Sequence, residues 1–174
     1  QELIGKLADD YDFITIGEGM MADNDACALY AGEQRGELNM MIMFDLHLQD
    51  CGPLGKYDFR KLYHWTIPGV KSIIFRWQTD SQKRNYWVAN YMNNHDQPRS
   101  ISRFGNDRQY RVESAKAFAL MNLTLRGTPL VYQGEEIGMT NCHLEQDEWM
   151  DYEAINIYDT LQTMMHLPKV IARK

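Results

Sequence analysis

Short apolar runs alternate along the chain with longer stretches whose apolar residues recur at helical spacing. Four of the short runs are rich in β-branched, aromatic or other large apolar residues, and they cover residues 12–17, 38–46, 86–92 and 129–133. Residues 38–46 are almost continuously apolar, which is typical of a strand covered by helices on both faces of a sheet. The pattern therefore predicts four strands of a parallel sheet.

Helices are predicted between and after these strands. Polar residues 23–25 offer N-caps for a short helix that ends at Gly32. Apolar residues at helical spacing indicate three further helices, around residues 70–77, over about 110–126 and near 152–165. Each predicted strand is thus followed by a helix or a helix-like segment. Such a chain forms either a small doubly wound sheet or half of an eight-stranded βα barrel, and the pattern alone does not choose between them.

Composition narrows the classes of function. The chain has 174 residues, of which 44% are apolar and 24% charged, as in globular proteins. Acidic residues outnumber Lys and Arg by 24 to 18, and the net charge is −6. This sign argues against a nucleic-acid-binding surface, because such surfaces neutralise phosphates with Lys and Arg. No apolar run approaches the roughly 18 residues of a membrane-spanning helix.

The N-terminus and the cysteines indicate where such a chain works. The sequence begins without Met and without the apolar centre of a signal peptide, so we expect it to be part of a longer protein. Its cysteines, Cys27, Cys51 and Cys142, are odd in number and widely spaced. We therefore expect free thiols in a reducing compartment and a cytoplasmic protein.

Ionisable residues follow every predicted strand. Glu18 follows the first strand, Asp45 and His47 lie at the end of the second, residues 93–99 follow the third and residues 133–136 follow the fourth. In parallel βα folds the functional site lies at this carboxyl end of the strands. Any single one of these residues has a common structural alternative, because helix caps and first helical turns also favour carboxylates.

Two of these segments suit sugar chemistry. Glu18 leaves a buried strand between two glycines, where partial desolvation would raise the pKa of its carboxyl group and allow it to act as a general acid. His95 and Asp96 place a donor beside a carboxylate, and Arg99 can hold a carboxylate or a ligand oxygen. Glycosidases need such a pair, an acid at the leaving oxygen and a second carboxylate near the anomeric carbon.

Other candidate chemistry is weaker. Four aromatic residues can stack on sugar rings, although core packing is the more common role for each: Phe44, Trp65, Tyr91 and Phe104. The Asp, His and Cys residues within 45–51 form only a loose cluster, and no HxxxH or HExxH motif occurs. We therefore predict neither a metal site nor a cofactor.

Three motifs resemble one known family. Residues 14–18 (ITIGE) resemble the strand-five motif of the α-amylase superfamily of glycoside hydrolases. Residues 93–99 (NNHDQPR) are similar to its strand-seven motif, and residues 127–141 (GTPLVYQGEEIGMTN) to its strand-eight segment. Residues 101–107 (ISRFGND) are similar to a segment of the branch that contains oligo-1,6-glucosidases, α-glucosidases and trehalose-6-phosphate hydrolases.

The resemblance implies a fold and roles for residues. The chain would be the C-terminal half of a (β/α)8 TIM barrel, an α/β fold of parallel strands with covering helices. Residues 1–174 would supply strands five to eight of the catalytic domain, without the N-terminal half and the C-terminal β-domain. Glu18 would be the general acid/base, and Asp96 the carboxylate that stabilises the transition state. His95 and Arg99 would bind the sugar.

The resemblance also implies what the chain lacks. The family is retaining, and its nucleophilic aspartate lies in an Arg-x-Asp motif of strand four, which does not occur here. We therefore expect the parent protein to cleave α-1,6 or α-1,4 glucosidic bonds of oligosaccharides and the isolated chain to be inactive. Half a barrel leaves two open sheet edges, through which two copies can form a homodimer.

Alternatives to this function remain open. One is a trehalose-6-phosphate hydrolase, which needs a phosphate-binding cation that the sequence does not reveal. Another is a non-catalytic half-barrel module that binds carbohydrate or serves a structural role. Sucrose isomerisation is disfavoured, because residues 45–50 contain no arginine where sucrose isomerases of this branch carry an arginine-rich loop. Neither a nucleic acid nor a membrane is expected as a partner.

Overall fold

A computed structural model describes residues 2–20, 22–53, 55, 58 and 64–168. Four strands form one parallel sheet in chain order, and they are β1 (Ile16–Gly17), β2 (Met40–Ile42), β3 (Val88–Tyr91) and β4 (Thr128–Leu130). The predicted parallel sheet is confirmed. Each strand is shorter than the apolar run that predicted it, because only the central residues of a run pair with a neighbour.

Six α-helices accompany the described sheet: α1 (Glu2–Ala8), α2 (Asn24–Ala31), α3 (Ile67–Lys83), α4 (Ser100–Phe104), α5 (Arg111–Thr124) and α6 (Tyr152–Thr163). Two short 3-10 helices cover Asp45–Leu48 and Gln146–Glu148. Helices α3, α5 and α6 fall where apolar spacing predicts them, and α2 falls where polar N-cap residues predict it, whereas α1 and α4 were not predicted.

Side-chain caps fix where α2 and α3 begin. Asp23 Oδ1 accepts a hydrogen bond from the Ala26 amide at 2.8 Å and starts α2. Thr66 Oγ1 accepts one from the Gly69 amide at 3.1 Å and starts α3, where a proline occupies the first turn. These caps satisfy amides that the first helical turn leaves without a backbone partner. No helix of the described residues is long and apolar enough to cross a bilayer.

One face of the sheet packs against helices. Met41 and Val88 lie in a buried apolar cluster with Cys27 of α2 and Trp77 of α3. A side chain at Gly17 would collide with Met41, so Gly17 points to this same face. Because side chains alternate along a strand, the residues next to these in sequence point away from the helices.

The opposite face therefore presents Glu18, Phe44 and Tyr91. The rings of Phe44 and Tyr91 meet edge to face with centroids 5.5 Å apart, which supports the assignment of both residues to this face. Each of the outer strands, β1 and β4, has one neighbour among the described residues. The sheet thus has a helix-covered face, an opposite face and two edges.

A pair of polar residues sets the register of β1 against β2. Asn39 Oδ1 accepts hydrogen bonds from the Thr15 amide at 2.7 Å and from the Thr15 hydroxyl at 2.8 Å. The Asn39 amide donates to Thr15 Oγ1 at 2.9 Å. This clasp holds Gly17 opposite Met41. Because a slip by one residue would move every side chain of a strand to the other face, the clasp also determines where Glu18 points.

Candidate active site

The sequence-predicted residues Glu18, His95, Asp96 and Arg99 follow the carboxyl ends of β1 and β3. Since the four strands are parallel and adjacent, these ends lie along one edge of the sheet. The residues after β4 reach the same edge, because Arg99 contacts Gln133 there.

Glu18 follows β1 directly and is solvent-exposed. The sequence predicted that burial would partly desolvate this carboxyl group, and that prediction is wrong, because the side chain is exposed to solvent in the described structure. The reason is its position, since β1 is an outer strand of the described sheet and pairs on one side only. Glu18 nevertheless lies on the same face as Phe44 and Tyr91, away from the packed helices.

His95 and Asp96 form a pair in which His95 is exposed and Asp96 is half-exposed. His95 Nε2 lies 3.4 Å from Asp96 Oδ1, and the two side chains are 74% and 41% exposed. Amide side chains shape the loop that carries them. Asn94 Oδ1 accepts a hydrogen bond from the Asp96 amide at 3.1 Å, and Asn93 Oδ1 accepts one from the Ser100 amide at 2.8 Å. The two asparagines replace regular backbone pairing and present Asp96 beyond the end of β3.

Arg99 links the ends of β3 and β4. Its Nη1 donates to the Gln133 carbonyl oxygen at 2.8 Å, and its guanidinium lies over the Tyr132 ring, with Cζ 4.8 Å from the centroid. Its backbone amide donates to Asn141 Oδ1 at 2.7 Å. The sequence suggested a ligand contact for Arg99, and the structure shows it first as the residue that holds two strand ends together.

Arg103 is a second connecting residue, and sequence reasoning gave it no role. It is bidentate to Asp50, with Nε 2.9 Å from Oδ2, and it also donates to Gln97 Oε1 at 2.7 Å and to the His47 carbonyl oxygen at 2.8 Å. Burial acts to lower the pKa of Arg103, but the hydrogen bonds and charge of Asp50 outweigh burial and leave the pKa raised. Arg103 therefore stays charged, and its ion pair with Asp50 fixes the segment after β2 to α4.

Asp45 does not belong to the candidate site. Its carboxylate accepts a hydrogen bond from Trp77 Nε1 at 2.9 Å and forms an ion pair with Arg76. Both partners lie on α3, so the side chain points toward the helix-covered side. Because neither partner is near Asp45 in sequence, a local sequence pattern could not show that this side chain points toward α3.

His47 is buried beneath the site. The residue is 1% exposed, and its ring stacks on Tyr91 with centroids 4.3 Å apart and 12° between the planes. Its Nε2 lies 3.0 Å from the Met92 carbonyl oxygen. A carbonyl oxygen only accepts hydrogen bonds, so Nε2 carries the proton. Burial lowers the pKa of His47 to about 4, and the ring is neutral near pH 7.

The loose cluster at residues 45–51 is therefore divided among separate partners. Asp45 is directed to α3, His47 to the Met92 carbonyl group and Asp50 to Arg103. Within the described ranges, no three His, Cys, Asp or Glu side chains are placed to share a metal ion. All three cysteines are free thiols.

The four aromatic residues behave mainly as packing residues. Phe44 and Tyr91 are 3% and 2% exposed. Trp65 and Phe104 meet edge to face and line an apolar cavity of about 290 Å³ with residues of α3 and α5. A sugar-stacking role is thus not supported for Phe44 or Tyr91, which both lie within the packed interior.

Tyr91 relates the two candidate carboxylates to each other. Burial raises the pKa of its hydroxyl, the positive charge of Arg103 opposes this, and the negative charges of Asp96 and Glu18 add to it. The hydroxyl is therefore within electrostatic range of both carboxylates. Glu18 and Asp96 both follow strands at this edge of the sheet, where two carboxyl groups can transfer a proton to an oxygen and grip neighbouring hydroxyl groups.

Comparison with known proteins matches this chain to one protein family. Residues 1–164 match the family described as alpha amylase, catalytic domain. An oligo-1,6-glucosidase from Halalkalibacterium halodurans is 43% identical over 159 residues, which are 91% of this chain and 28% of that protein. A trehalose-6-phosphate hydrolase from Bacillus subtilis is 38% identical and is covered to 28% of its length.

Solved structures agree. Trehalose-6-phosphate hydrolase from Bacillus licheniformis superimposes with a TM-score of 0.83 at 34% identity, over 98% of this chain and 30% of that one. Isomaltulose synthase from Klebsiella sp. superimposes with a TM-score of 0.86 at 34% identity, over 99% of this chain and 31% of that one. The chain thus spans less than a third of the length of these relatives.

Proposed function

Because the chain belongs to the alpha-amylase catalytic-domain family, we propose that it supplies the acid–base part of the active site of a retaining α-glucoside hydrolase. The observation that carries this proposal is the arrangement at one sheet edge, where Glu18 follows the carboxyl end of β1 and the paired His95 and Asp96 follow that of β3. The names of the curated relatives, which include oligo-1,6-glucosidase and glucan 1,6-alpha-glucosidase, support the same class of reaction.

The proposed roles follow from the position of each group. Glu18 is exposed at the edge and can meet a glycosidic oxygen, to which it gives a proton as the leaving group departs. The same group then removes a proton from the water that releases the sugar. Asp96 and His95 grip sugar hydroxyl groups, and Asp96 stabilises positive charge at the anomeric carbon. Arg99 keeps the β4 end beside them.

The substrate that we propose is an oligosaccharide with α-1,6 or α-1,4 glucosidic bonds. Trehalose 6-phosphate is the second candidate, favoured by the 38% identical hydrolase of that name. A substrate panel of isomaltose, maltose and trehalose 6-phosphate decides among them. The class of reaction would be wrong if none of the three were hydrolysed by the protein expressed at its native length.

Glu18→Gln in the native-length protein tests the acid–base assignment. We expect turnover of isomaltose to fall by about 10²–10⁴, because its sugar leaving group needs a proton. Release of fluoride from α-glucosyl fluoride needs no such proton, so its first turnover should survive as a burst. The control is Glu113→Gln on α5, which makes the same change at an exposed site. Unchanged isomaltose turnover in Glu18→Gln would refute the assignment.

The isolated chain of residues 1–174 is a separate case. We propose that it hydrolyses no glycoside, because the nucleophilic Arg-x-Asp motif of the family is not among its residues. No turnover of p-nitrophenyl α-glucoside is expected, and clear turnover would contradict the proposal. This result also separates the enzyme from a non-catalytic carbohydrate module, since only the enzyme gains activity at native length.

Two further proposals concern the state of the chain. The outer strands β1 and β4 each pair on one side only among the described residues, and we propose that two isolated chains associate through these edges. Sedimentation equilibrium tests this, and a monomer at high concentration would contradict it.

The three free thiols support a reducing, cytoplasmic location, which cell fractionation tests.

A further inference from the structure

We propose that Gln97 is a positioning residue, which fixes the Asp96 carboxylate at the candidate site through a hydrogen bond to Arg103. The role rests on the proposed function, since it matters for the reaction only if Asp96 acts on the sugar. Gln97 follows Asp96 directly in the chain, and its side chain accepts a hydrogen bond from Arg103 on α4. None of the roles that the sequence resemblance implies falls on Gln97.

The loop that carries Asp96 takes its shape from two asparagines. Residues 93–99, which we call the β3 loop, lie between β3 and α4. Asn94 Oδ1 accepts a hydrogen bond from the Asp96 amide, and Asn93 Oδ1 accepts one from the amide of Ser100, the first residue of α4. Both bonds stay within the β3 loop and the start of α4. They give the loop its shape, but they do not fix it to a neighbouring strand.

Gln97 anchors the β3 loop on the side of β2. Its Oε1 accepts a hydrogen bond from Arg103 Nη1 at 2.7 Å. The same guanidinium is bidentate to Asp50 and donates to the His47 carbonyl oxygen at 2.8 Å, and both of these residues follow β2. A hydrogen bond from a charged donor is stronger than one between neutral groups. Gln97 is thus connected through one side chain to the segment after β2.

Arg103 is held firmly enough to serve as an anchor. Its side chain is 8% exposed. His47, whose carbonyl oxygen it meets, is 1% exposed, and His47 Nε2 donates to the Met92 carbonyl oxygen at 3.0 Å. A buried guanidinium with several fixed acceptors keeps one position, and such supporting contacts are what hold a site in its working geometry. The ends of β2 and β3 together therefore set the position of Gln97.

Arg99 anchors the β3 loop on the side of β4, so that Asp96 is held from two sides. The Arg99 guanidinium donates to the Gln133 carbonyl oxygen at 2.8 Å. Gln97 and Arg99 stand one and three positions after Asp96. The Gln97 anchor refers the carboxylate to β2, and β2 pairs with β1, the strand that Glu18 follows. Gln97 thus sets the position of Asp96 relative to Glu18.

Gln97→Met in the native-length protein tests the proposal, because it removes the acceptor and keeps a side chain of similar length. The bonds between Arg103 and Asp50 remain, so the fold should survive. We expect kcat for isomaltose to fall about ten- to hundredfold and KM to rise less, because a displacement of about 1 Å costs up to about 10² in rate. Gln97→Glu keeps an acceptor oxygen for Arg103 and should retain most of the turnover.

The control is Gln82→Met, which makes the same change at an exposed position of α3 and should leave kcat unchanged. A merely structural role for Gln97 predicts a lower thermal midpoint with an unchanged kcat of the folded protein, and that result would overturn the proposal. Equal losses of turnover in Gln97→Met and Gln97→Glu would overturn it too, because the acceptor oxygen would then not be the group that matters.

Crystal structures of the native-length variants keep this test apart from the test of the reaction, because they report the position of Asp96 without turnover. We expect the Asp96 carboxylate to move relative to Glu18 by about 1 Å in Gln97→Met and to stay in place in Gln97→Glu. That displacement supports the positioning role even if the hydrolysis proposed for Glu18 fails. An unmoved carboxylate in Gln97→Met refutes the role even if Glu18→Gln behaves as expected.

Discussion

Acidification should destabilise this protein through one buried ring, His47. The residue is 1% exposed, and burial lowers the pKa of its imidazole from 6.5 to about 4. The positive charge of Arg103 acts in the same direction, whereas the hydrogen bond to the Met92 carbonyl oxygen and the charge of Asp50 oppose it. Between pH 6.5 and 4 the unfolded chain therefore binds a proton that the folded chain does not bind. The stability is fully present above pH 6.5 and is lost as the pH falls toward 4.

The magnitude follows from the two pKa values. At pH 7.5 both states are neutral at His47, and the proton makes almost no difference. At pH 5 the histidine of the unfolded chain is mostly protonated, whereas that of the folded chain is mostly not. The linkage relation then gives a stability loss of about 2 kcal/mol at pH 5 relative to pH 7.5.

Two variants separate this effect from that of other titrating groups. His47→Gln keeps an N–H donor for the Met92 carbonyl oxygen but does not titrate. His143→Gln makes the same change at an exposed position and serves as the control. The assay is urea denaturation of the native-length protein at pH 7.5 and pH 5. We expect the loss of unfolding free energy between these pH values to be about 2 kcal/mol smaller in His47→Gln than in the control.

A direct titration gives the second measurement. The NMR signal of ¹³C-labelled His47, identified by its absence from His47→Gln, should stay in the neutral form down to about pH 5. A His47 signal that titrates near the unperturbed value of about 6.5 would refute the reasoning. An identical pH dependence of stability in His47→Gln and His143→Gln would refute it as well.

The other predictions concern the loop connection and the approach to β4. Arg103→Met should destabilise the protein by about 3–5 kcal/mol in urea denaturation, because it removes the guanidinium that pairs with Asp50, a side chain only 22% exposed. The double variant with Asp50→Leu should recover part of this loss. A larger loss in the double variant would contradict this. Gly127→Ala should lower the thermal midpoint, because the backbone φ at this position is +142° and a Cβ would lie 2.5 Å from the Val88 carbonyl oxygen. The control is Gly5→Ala, which should not lower the midpoint, because there is open space around Gly5. Equal midpoints would show that the backbone adapts.

Much of the fold could be predicted from local patterns. Apolar runs located all four strands, and spacing and caps located α2, α3, α5 and α6. Helix α1 escaped because it has two turns and a glycine inside it, and α4 because it has five residues within a polar loop. Short helices owe their stability to tertiary packing more than to their own sequence.

The site was predictable only as a set of strand ends. Parallel pairing brings Glu18 and residues 95–99 to one edge, and that followed from sequence. The direction of Asp45 toward α3 did not follow, since its partners lie more than thirty positions away. The stacking of His47 on Tyr91 was equally hidden, because the two rings meet only after β2 and β3 pair. Partners distant in sequence decide which polar side chains face a ligand.

The Thr15–Asn39 clasp lies at the end of the sheet opposite the candidate catalytic groups. The direction of Glu18 is therefore set by contacts at the amino end of the strands, apart from the loops that follow them. The loops after the strands can therefore be exchanged or lengthened without disturbing that direction, provided Thr15 and Asn39 are kept. A single change at Asn39 would conversely alter the direction of Glu18 while every loop remained intact.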